Sequence, residues 1–367
     1  MSPDFGALGA GAAPAQELRG PRPDGARPAR RALFAAPEDF EVEELALYEP
    51  SGDGAHTFVL VEKRLRTTEE VARVLARAAG VRPGDVGYAG RKDRFAIARQ
   101  WLSVPGLAPD AALALEAPGV RVLDARRHPH KLRTGQLRGN RFRLRLSGLA
   151  PEALAALPAR AAALYERGLP NRFGAQRYGA DGANAERAAA RLAGDGSWPR
   201  DRREARFLLS ALQAAVFDDV LARRPLPLHR LETGDVAMVC ASGGAFLVED
   251  AASEQPRADR FEISPTGPIF GTRTSEAQGA PGARERESLA RFGIDLARFR
   301  PPRGLRARGA RRPLRVRPEG LAVESVGPDA ALISVALPPG TYATVLVEAL
   351  LEGAGSSGDR ESQAAVP

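Results

Sequence analysis

The sequence predicts an α+β fold in which one domain is inserted into another. Apolar residues recur with a period of two, typical of strands, up to about residue 149 and again after Pro313. Longer segments with helical patterns lie between these two regions. Strand-rich ends around a helical middle are expected when a second domain interrupts the first.

The first region contains clear element signals. Glu41–Tyr48 and Thr57–Leu65 are predicted strands, and the glycine-containing turn between them predicts a hairpin-like unit. A helix begins after the capping box of Thr67 and Glu70 and ends at Gly80. The next predicted strands are Val86–Ala89 and Ala96–Val104. A further strand is indicated by an alternation of apolar and basic residues, in which Phe142, Leu144 and Leu146 alternate with Arg141, Arg143 and Arg145.

The middle of the chain is more helical. Helices are predicted at Pro151–Arg167, Ala185–Leu192 and Glu204–Arg224, with short strands at Val236–Val239 and Phe246–Val248. The segment Ser275–Glu287 has few apolar residues and is predicted to be a mobile loop. Alternation returns at Leu314 and Val316 and at Ile333, Val335 and Leu337, and a helix at Thr341–Leu351 follows. Residues 1–31 and 353–367 have the composition of a disordered basic leader and a disordered tail.

The charge balance favours a polyanionic partner without proving one. The formal net charge is +8 and the sequence pI is about 10.3. An excess of positive charge is expected of a protein that binds nucleic acid, but it is also found where its only effect is to keep the protein soluble. The outward arginines of the strand around Phe142 have the same two readings, contact with phosphates or a solvated face.

Several classes of protein are excluded or disfavoured by the sequence. It has no apolar run of about 18 residues, no signal-peptide pattern and no Cys/His cluster spaced for zinc, so a cytoplasmic protein without a metal is expected. Its one cysteine, Cys240, cannot form an internal disulfide. Phosphate-binding and metalloprotease motifs are also absent from the sequence.

The polar turn around Asp93 is the best remaining candidate for chemistry. Its carboxylate lies among Arg91, Lys92 and Arg94, and nearby cations favour the ionised form of an acid. An ionised carboxylate suits a nucleophile or a general base. A charged surface turn would have the same composition, so the pattern alone does not separate these alternatives.

Four motifs in order resemble the TruD family of pseudouridine synthases, and they extend over about residues 32–352. The first comprises Pro37–Phe40, Gly54–His56, Val86–Asp93 and Gln100–Trp101; the others are Lys131–Arg133 with Gly139–Phe142, Pro170–Gly179, and Leu337–Thr344. The resemblance implies a pseudouridine synthase-type mixed, mainly antiparallel sheet in a catalytic domain of residues 32–170 and 313–352. An α/β TRUD domain, residues 171–312, would be inserted into it.

The resemblance also implies a reaction and roles for residues. Uridine would be isomerised to pseudouridine in tRNA, at nucleotide 13 of the D arm, without a cofactor. Asp93 would be the catalytic carboxylate, either attacking the sugar C1′ or removing a proton from C2′. Phe142 would stack on the uracil, and Asn140 would bind the base or hold the turn around Asp93. Lys92 and His56, and Arg177 beside Gln176, would contact RNA or position loops.

One position departs from the family pattern, and several readings stay open. Relatives often carry a lysine where this chain has Phe34, and Arg30 or Arg31 could supply that charge. An inactive RNA-binding protein of the same fold, a synthase for another RNA, and a nuclease or glycosidase are the alternatives. Glu41 and Glu43 could suggest a carboxylate pair, but they alternate outward on a strand. We expect a monomer with tRNA as its partner and no membrane or protein partner.

Overall fold

The computed structural model describes residues 34–179, 181–296, 299, 301, 304–305 and 307–352. They form two compact units, which are described separately. The sheet unit comprises residues 34–171 and 315–352, and the central unit comprises the described residues of 172–314. The predicted TRUD domain, 171–312, stays a prediction. The predicted leader and tail lie outside the described residues.

The helices and strands follow one another in the order expected of an α+β protein. The strands are β1 Phe40–Ala46, β2 His56–Arg64, β3 Gly87–Tyr88, β4 Ile97–Pro105, β5 Val120–His128, β6 Leu137–Leu146, β7 Leu169–Pro170, β8 Val236–Val239, β9 Ala245–Leu247, β10 Ile263–Ile269, β11 Ala310–Pro313, β12 Arg315–Val316, β13 Glu319–Gly327 and β14 Ala330–Leu337. The α-helices are α1 Thr68–Ala79, α2 Pro109–Leu113, α3 Pro151–Arg167, α4 Asn184–Ala193, α5 Arg202–Ala222, α6 Ala251–Asp259, α7 Gly279–Ala290 and α8 Ala343–Leu351. Short 3₁₀ helices lie at Pro37–Asp39, Pro83–Asp85 and Ala175–Tyr178.

An eight-stranded sheet forms the frame of the sheet unit. Its order is β13-β14-β6-β1-β4-β2-β5, and β3 pairs with β4 outside this path. β1 and β4 are parallel, whereas the other pairs are antiparallel. The predicted mixed, mainly antiparallel sheet is therefore confirmed.

The predicted helix after β2 is confirmed, with both of its terminal signals. Thr67 accepts a hydrogen bond from the backbone of Glu70, and the Glu70 side chain accepts one from the backbone of Thr67. Gly80 ends the helix with φ 66°, in the left-handed region that glycine adopts without strain. Helix α1 packs Val71 and Leu75 against the sheet.

The predicted hairpin of the first two strands is wrong. β4 lies between β1 and β2 and pairs with both. A nine-residue connection, 47–55, joins them, and it is long enough to cross a strand about 4.8 Å wide. Its turn packs on β5 instead, where Gly52 N donates to Arg127 O at 2.9 Å. The turn signal indicated a chain reversal but not which strand would be the neighbour.

One face of the sheet carries two hydrophobic cores. The larger core joins β1, β6 and β14 to α3 and α8, and it includes Phe40, Phe142 and Leu346. Phe34 lies in it at 1% exposure, with its ring 5.1 Å from that of Phe40. The second core joins β2 and β4 to α1. Phe34 therefore adds a buried aromatic ring to this core.

The opposite face carries the ion pairs of the outward residues. Arg141 lies 2.9 Å from Glu43, and Arg143 lies 3.7 Å from Glu41, all between β6 and β1. These side chains remain partly exposed. Of the two readings of the outward arginines, the structure supports a solvated face for Arg141 and Arg143.

The central unit combines helices with a four-stranded antiparallel sheet, ordered β11-β10-β8-β9. The predicted mobile loop at Ser275–Glu287 is wrong, because most of it lies in α7. A buried ion pair compensates for its low apolar content: Glu285 accepts two hydrogen bonds from Arg311, at 2.6 and 2.9 Å. Leu289 adds α7 to the core of the unit.

Candidate active site

Asp93 lies in the connection between β3 and β4, residues 89–96, which we call the Asp93 loop. β3 pairs with β4 through Gly87–Ser103 and Tyr88–Leu102, so the loop begins and ends on the same sheet. A Cβ atom on Gly87 would lie 2.2 Å from the carbonyl oxygen of Leu132, which leaves room only for glycine. The strand pairing therefore fixes where the loop enters.

A buried lysine holds the backbone of Asp93 itself. The Lys63 ammonium donates to the carbonyl oxygens of Asp93 at 2.5 Å and Arg66 at 2.7 Å. Lys63 has 0% exposure. Burial lowers its pKa to about 8, against the opposing effect of the Asp93 charge.

Lys63 was not among the predicted site residues, although the sequence carries a signal for it. It follows Val59 and Val61 at a spacing of two, so it continues a row of inward residues on this strand. A lysine at such a position needs a specific partner. That requirement would have marked Lys63 as a candidate.

A second buried lysine anchors the loop one residue before Asp93. The Lys92 ammonium lies 2.7 Å from Glu44 Oε2, and the two side chains are 5% and 1% exposed. Burial raises the pKa of Glu44, and the Lys92 charge opposes that rise. The contact supports loop positioning by Lys92, and its predicted RNA contact stays a prediction.

A chain of neutral hydrogen bonds completes the attachment. Lys92 N donates to Thr68 Oγ1 at 2.9 Å, and Thr68 Oγ1 donates to Gln100 Oε1 at 2.8 Å. Gln100 Nε2 donates in turn to Gly90 O at 3.3 Å. Thr68 begins α1 and Gln100 belongs to β4, so the helix and the sheet both hold the loop. Such a network keeps a reactive group in one orientation.

Asn140 and Phe142 lie on the face of the sheet to which the loop is attached. Asn140 pairs with Glu44 across β6 and β1, and Phe142 pairs with Val42 two residues earlier. Paired residues share a face, and residues two apart along a strand share it as well. Phe142 is 7% exposed, and its ring lies 5.9 Å from that of Phe40. The Oδ1 atom of Asn140 is buried and has no hydrogen-bond partner among the described residues.

The structure thus brings Asp93, Lys92, Asn140 and Phe142 to one face of the sheet, beside Lys63. The row Phe142–Val42 continues through Ala98 to Lys63 on neighbouring strands. Polar groups therefore interrupt this face where the two hydrophobic cores adjoin.

His56 is not part of this group. It begins β2, whereas Lys63 lies near the other end of that strand, roughly 23 Å away at 3.3 Å per residue. Its strand partner is His128, and its Nδ1 atom is buried without a partner among the described residues. Burial lowers the pKa of His56, with further contributions from Lys131, His128 and His130.

Arg177 belongs to the central unit. It lies in the 3₁₀ helix Ala175–Tyr178, 5.4 Å from the ring centre of Phe173, and it donates to Ser210 Oγ at 3.3 Å. Gln176 beside it is exposed. The predicted RNA contact of Arg177 stays a prediction.

The described residues offer neither a membrane-spanning helix nor a cluster of metal ligands. Within the described ranges, no helix is both long and apolar enough to cross a membrane. The part of the chain that the structure describes holds no group of three or more His, Cys, Asp or Glu side chains placed to bind a metal ion.

The chain is similar to known proteins over most of its length. The family model for tRNA pseudouridine synthase D (TruD) matches residues 29–195 and 201–350. The chain is 40% identical to tRNA pseudouridine synthase D of Geobacter metallireducens, over 86% of this chain and 93% of that protein. It is 45% identical to the protein of the same name from Anaeromyxobacter sp. (strain Fw109-5), over 87% of this chain and 92% of that protein. It is 44% identical to the one from Thermus thermophilus, over 86% of this chain and 87% of that protein.

A crystal structure of a TruD protein from Methanosarcina mazei has the same fold. It superposes with a TM-score of 0.68 at 21% identity, and the match covers 87% of this chain and 93% of the other. The fold and the matches define the class of this enzyme: it is a pseudouridine synthase, an isomerase. Within that class, the chain belongs to the TruD family.

Proposed function

We propose that this enzyme converts uridine to pseudouridine in tRNA, at nucleotide 13 of the D arm, with Asp93 as the catalytic carboxylate. The observation that carries the assignment of Asp93 is the attachment of its loop. Lys63, Lys92 and the Thr68–Gln100 chain hold the loop from the buried side. Reactive groups must be held to within about 0.5 Å, and the attachment of the loop supports such a role for Asp93.

The reaction breaks the N1–C1′ bond of uridine, turns the uracil and joins C5 to C1′. The hydrogen on C5 leaves as a proton and N1, freed from C1′, takes up a proton, so the mass of the RNA is unchanged. Asp93 acts either by attacking C1′ or by removing a proton from C2′ after the base departs. The contacts of the loop are compatible with both steps, since they hold the backbone of Asp93 and the residue is partly exposed.

The uridine must leave its stack to reach the carboxylate. Phe142 provides an aromatic surface for the uracil, and stacking of a base on an aromatic ring contributes about 1–3 kcal/mol. The buried Oδ1 of Asn140 accepts a hydrogen bond from the uracil N3–H. An unsatisfied buried acceptor costs about 1–3 kcal/mol, so a base that satisfies it gains affinity.

The test of Asp93 measures release of tritium from tRNA labelled at uridine C5. We expect Asp93→Ala to lower the rate by about 10²–10⁴-fold, with tRNA affinity unchanged. Asp85→Asn, in an exposed turn before β3, is the matched control and should retain the wild-type rate. A rate for Asp93→Ala within a few-fold of wild type would refute its role.

The same assay separates the alternatives. An inactive RNA-binding protein releases no tritium even as wild type, and a nuclease or glycosidase shortens the RNA or leaves an abasic site. Carbodiimide mapping of the product locates the pseudouridine. A tRNA whose nucleotide 13 is cytidine should yield none, and modification elsewhere would assign another target.

A further inference from the structure

A second set of aromatic and basic side chains lies on the sheet unit, apart from the Asp93 loop. They line an open depression of about 500 Å³, which we call the His128 depression: Tyr48, His128, His130, Lys131, Arg133 and Gln136. The rings of Tyr48 and His128 are stacked, with centroids 5.2 Å apart and planes 25° apart. The ring of Phe58 backs His128 at 4.5 Å.

The depression lies toward the opposite end of β2 from Lys63, because His128 pairs there with His56. A narrow cleft next to it is lined by Glu44, which binds Lys92, and also by Tyr48 and Gln136 of the depression. Glu44 and Tyr48 are four residues apart, so their Cα atoms are separated by no more than about 14 Å. His56, the strand partner of His128, lies roughly 23 Å along β2 from Lys63, so a nucleotide bound in the depression is several nucleotides away from the target uridine along the RNA.

The charges of the depression suit an anion. Arg133 is exposed and its side chain has no ion-pair partner among the described residues, and Lys131 lies beside it. None of the six lining side chains is acidic. Burial and the neighbouring His130 lower the pKa of His128, so its ring is neutral at physiological pH and presents a π-surface.

We propose that the His128 depression binds an unpaired nucleotide of the RNA that flanks the target uridine. Its base stacks on the Tyr48–His128 wall and its phosphate contacts Arg133. Aromatic rings next to free basic groups are the combination that binds single-stranded nucleic acid. This inference rests on the proposed function, and it adds a binding site for the flanking strand. His56, the strand partner of His128, then supports this surface and not the Asp93 loop.

The first experiment uses the full-length enzyme and tRNA in which 2-aminopurine replaces each nucleotide flanking the target, one at a time. Stacking should quench the fluorescence at one position with wild type and with Tyr48→Phe, and not with Tyr48→Leu. We expect Tyr48→Leu to weaken tRNA binding about tenfold. Its single-turnover rate at saturating enzyme should stay within twofold of wild type. Absence of quenching at every position, or a lowered rate with unchanged affinity, would overturn the proposal.

The second experiment does not depend on how Tyr48→Leu folds, because Arg133 is exposed. Arg133→Gln should reduce the slope of log affinity against log salt by about one. Arg145→Gln, which removes an exposed arginine at the far end of β6, is the matched control and should leave the slope unchanged. Equal slopes for Arg133→Gln and wild type would contradict the phosphate contact. Wild-type tritium release, measured in parallel, tests the proposed function separately.

Discussion

Two family motifs, one in each unit, are each held by a charged side chain, buried in one unit and partly buried in the other, and the two side chains have opposite charge. In the sheet unit the Lys63 ammonium donates to the backbone of the Asp93 loop. In the central unit the Asp218 carboxylate accepts hydrogen bonds from Phe173 N at 3.0 Å and from Tyr178 Oη at 2.5 Å. A cation therefore organises carbonyl groups in one motif, and an anion organises donors in the other.

The difference determines how each motif responds to pH. Burial lowers the pKa of Lys63 to about 8 and raises the pKa of Asp218 to about 6. Hydrogen bonds from Tyr178 and Phe173 oppose the rise at Asp218 without cancelling it. Between about pH 6 and pH 8 both groups are charged and hold their motifs. Above that range Lys63 loses its charge, and below it Asp218 does.

The largest expected effect tests whether buried charges stabilise the Asp93 loop. Glu44→Gln leaves the Lys92 ammonium buried without a counter-charge, which should lower the free energy of unfolding by about 3–5 kcal/mol. Glu43→Gln, one residue earlier, breaks a half-exposed pair with Arg141 and should cost less than about 1 kcal/mol. Urea unfolding of both variants is the measurement. Equal losses would show that the Glu44 pair adds nothing beyond a surface pair.

The next effect concerns the pH dependence of Lys63. Between pH 8 and 10.5 the unfolded lysine keeps its proton and the folded one has lost it, so the stability of the wild type rises with pH in this window. Relative to Lys63→Met, the wild type should gain about 2.4 kcal/mol between pH 7.5 and pH 10. The fluorescence of Trp101, measured in a Trp198→Phe background, reports unfolding of the sheet unit. A difference that does not change with pH would mean that the lysine is not perturbed by burial.

Asp218 gives the opposite slope and the smallest effect. Between its ordinary pKa of 3.8 and about 6 the folded state binds the additional proton, so stability falls as pH rises. Relative to Asp218→Asn, the wild type should lose about 2 kcal/mol between pH 4 and pH 6.5. Trp198, packed on the core of the central unit, is the reporter in a Trp101→Phe background. Asp181→Asn, at an exposed ion pair with Arg187, should show no such slope.

Local signals allowed much of the fold to be predicted. The ends of α1 depend on Thr67, Glu70 and Gly80, which lie within fourteen residues of one another along the chain. The hairpin prediction failed because strand pairing depends on distant segments, and β4 competes for the same edges. Helix α7 was missed because its stability depends on Arg311, which lies outside it.

The candidate site was predicted in part, and mainly by resemblance. Asp93, Asn140 and Phe142 came from family motifs and meet on one face. Glu44 was not predicted, although the alternation that turns Glu41 and Glu43 outward turns Glu44 inward. The position of His56 could not be predicted, because it depends on the pairing of β2 with β5.

The scarcity of lysine in this chain gives an experimental advantage. Its three lysines are Lys63, Lys92 and Lys131, and the first two are buried. Apart from the N-terminal amine, an amine-reactive dye should therefore attach mainly at Lys131, beside the His128 depression. Cys240, the single cysteine, is exposed on the central unit and accepts a thiol-reactive dye. Energy transfer between these two dyes can report the separation of the units during tRNA binding in the unmutated enzyme.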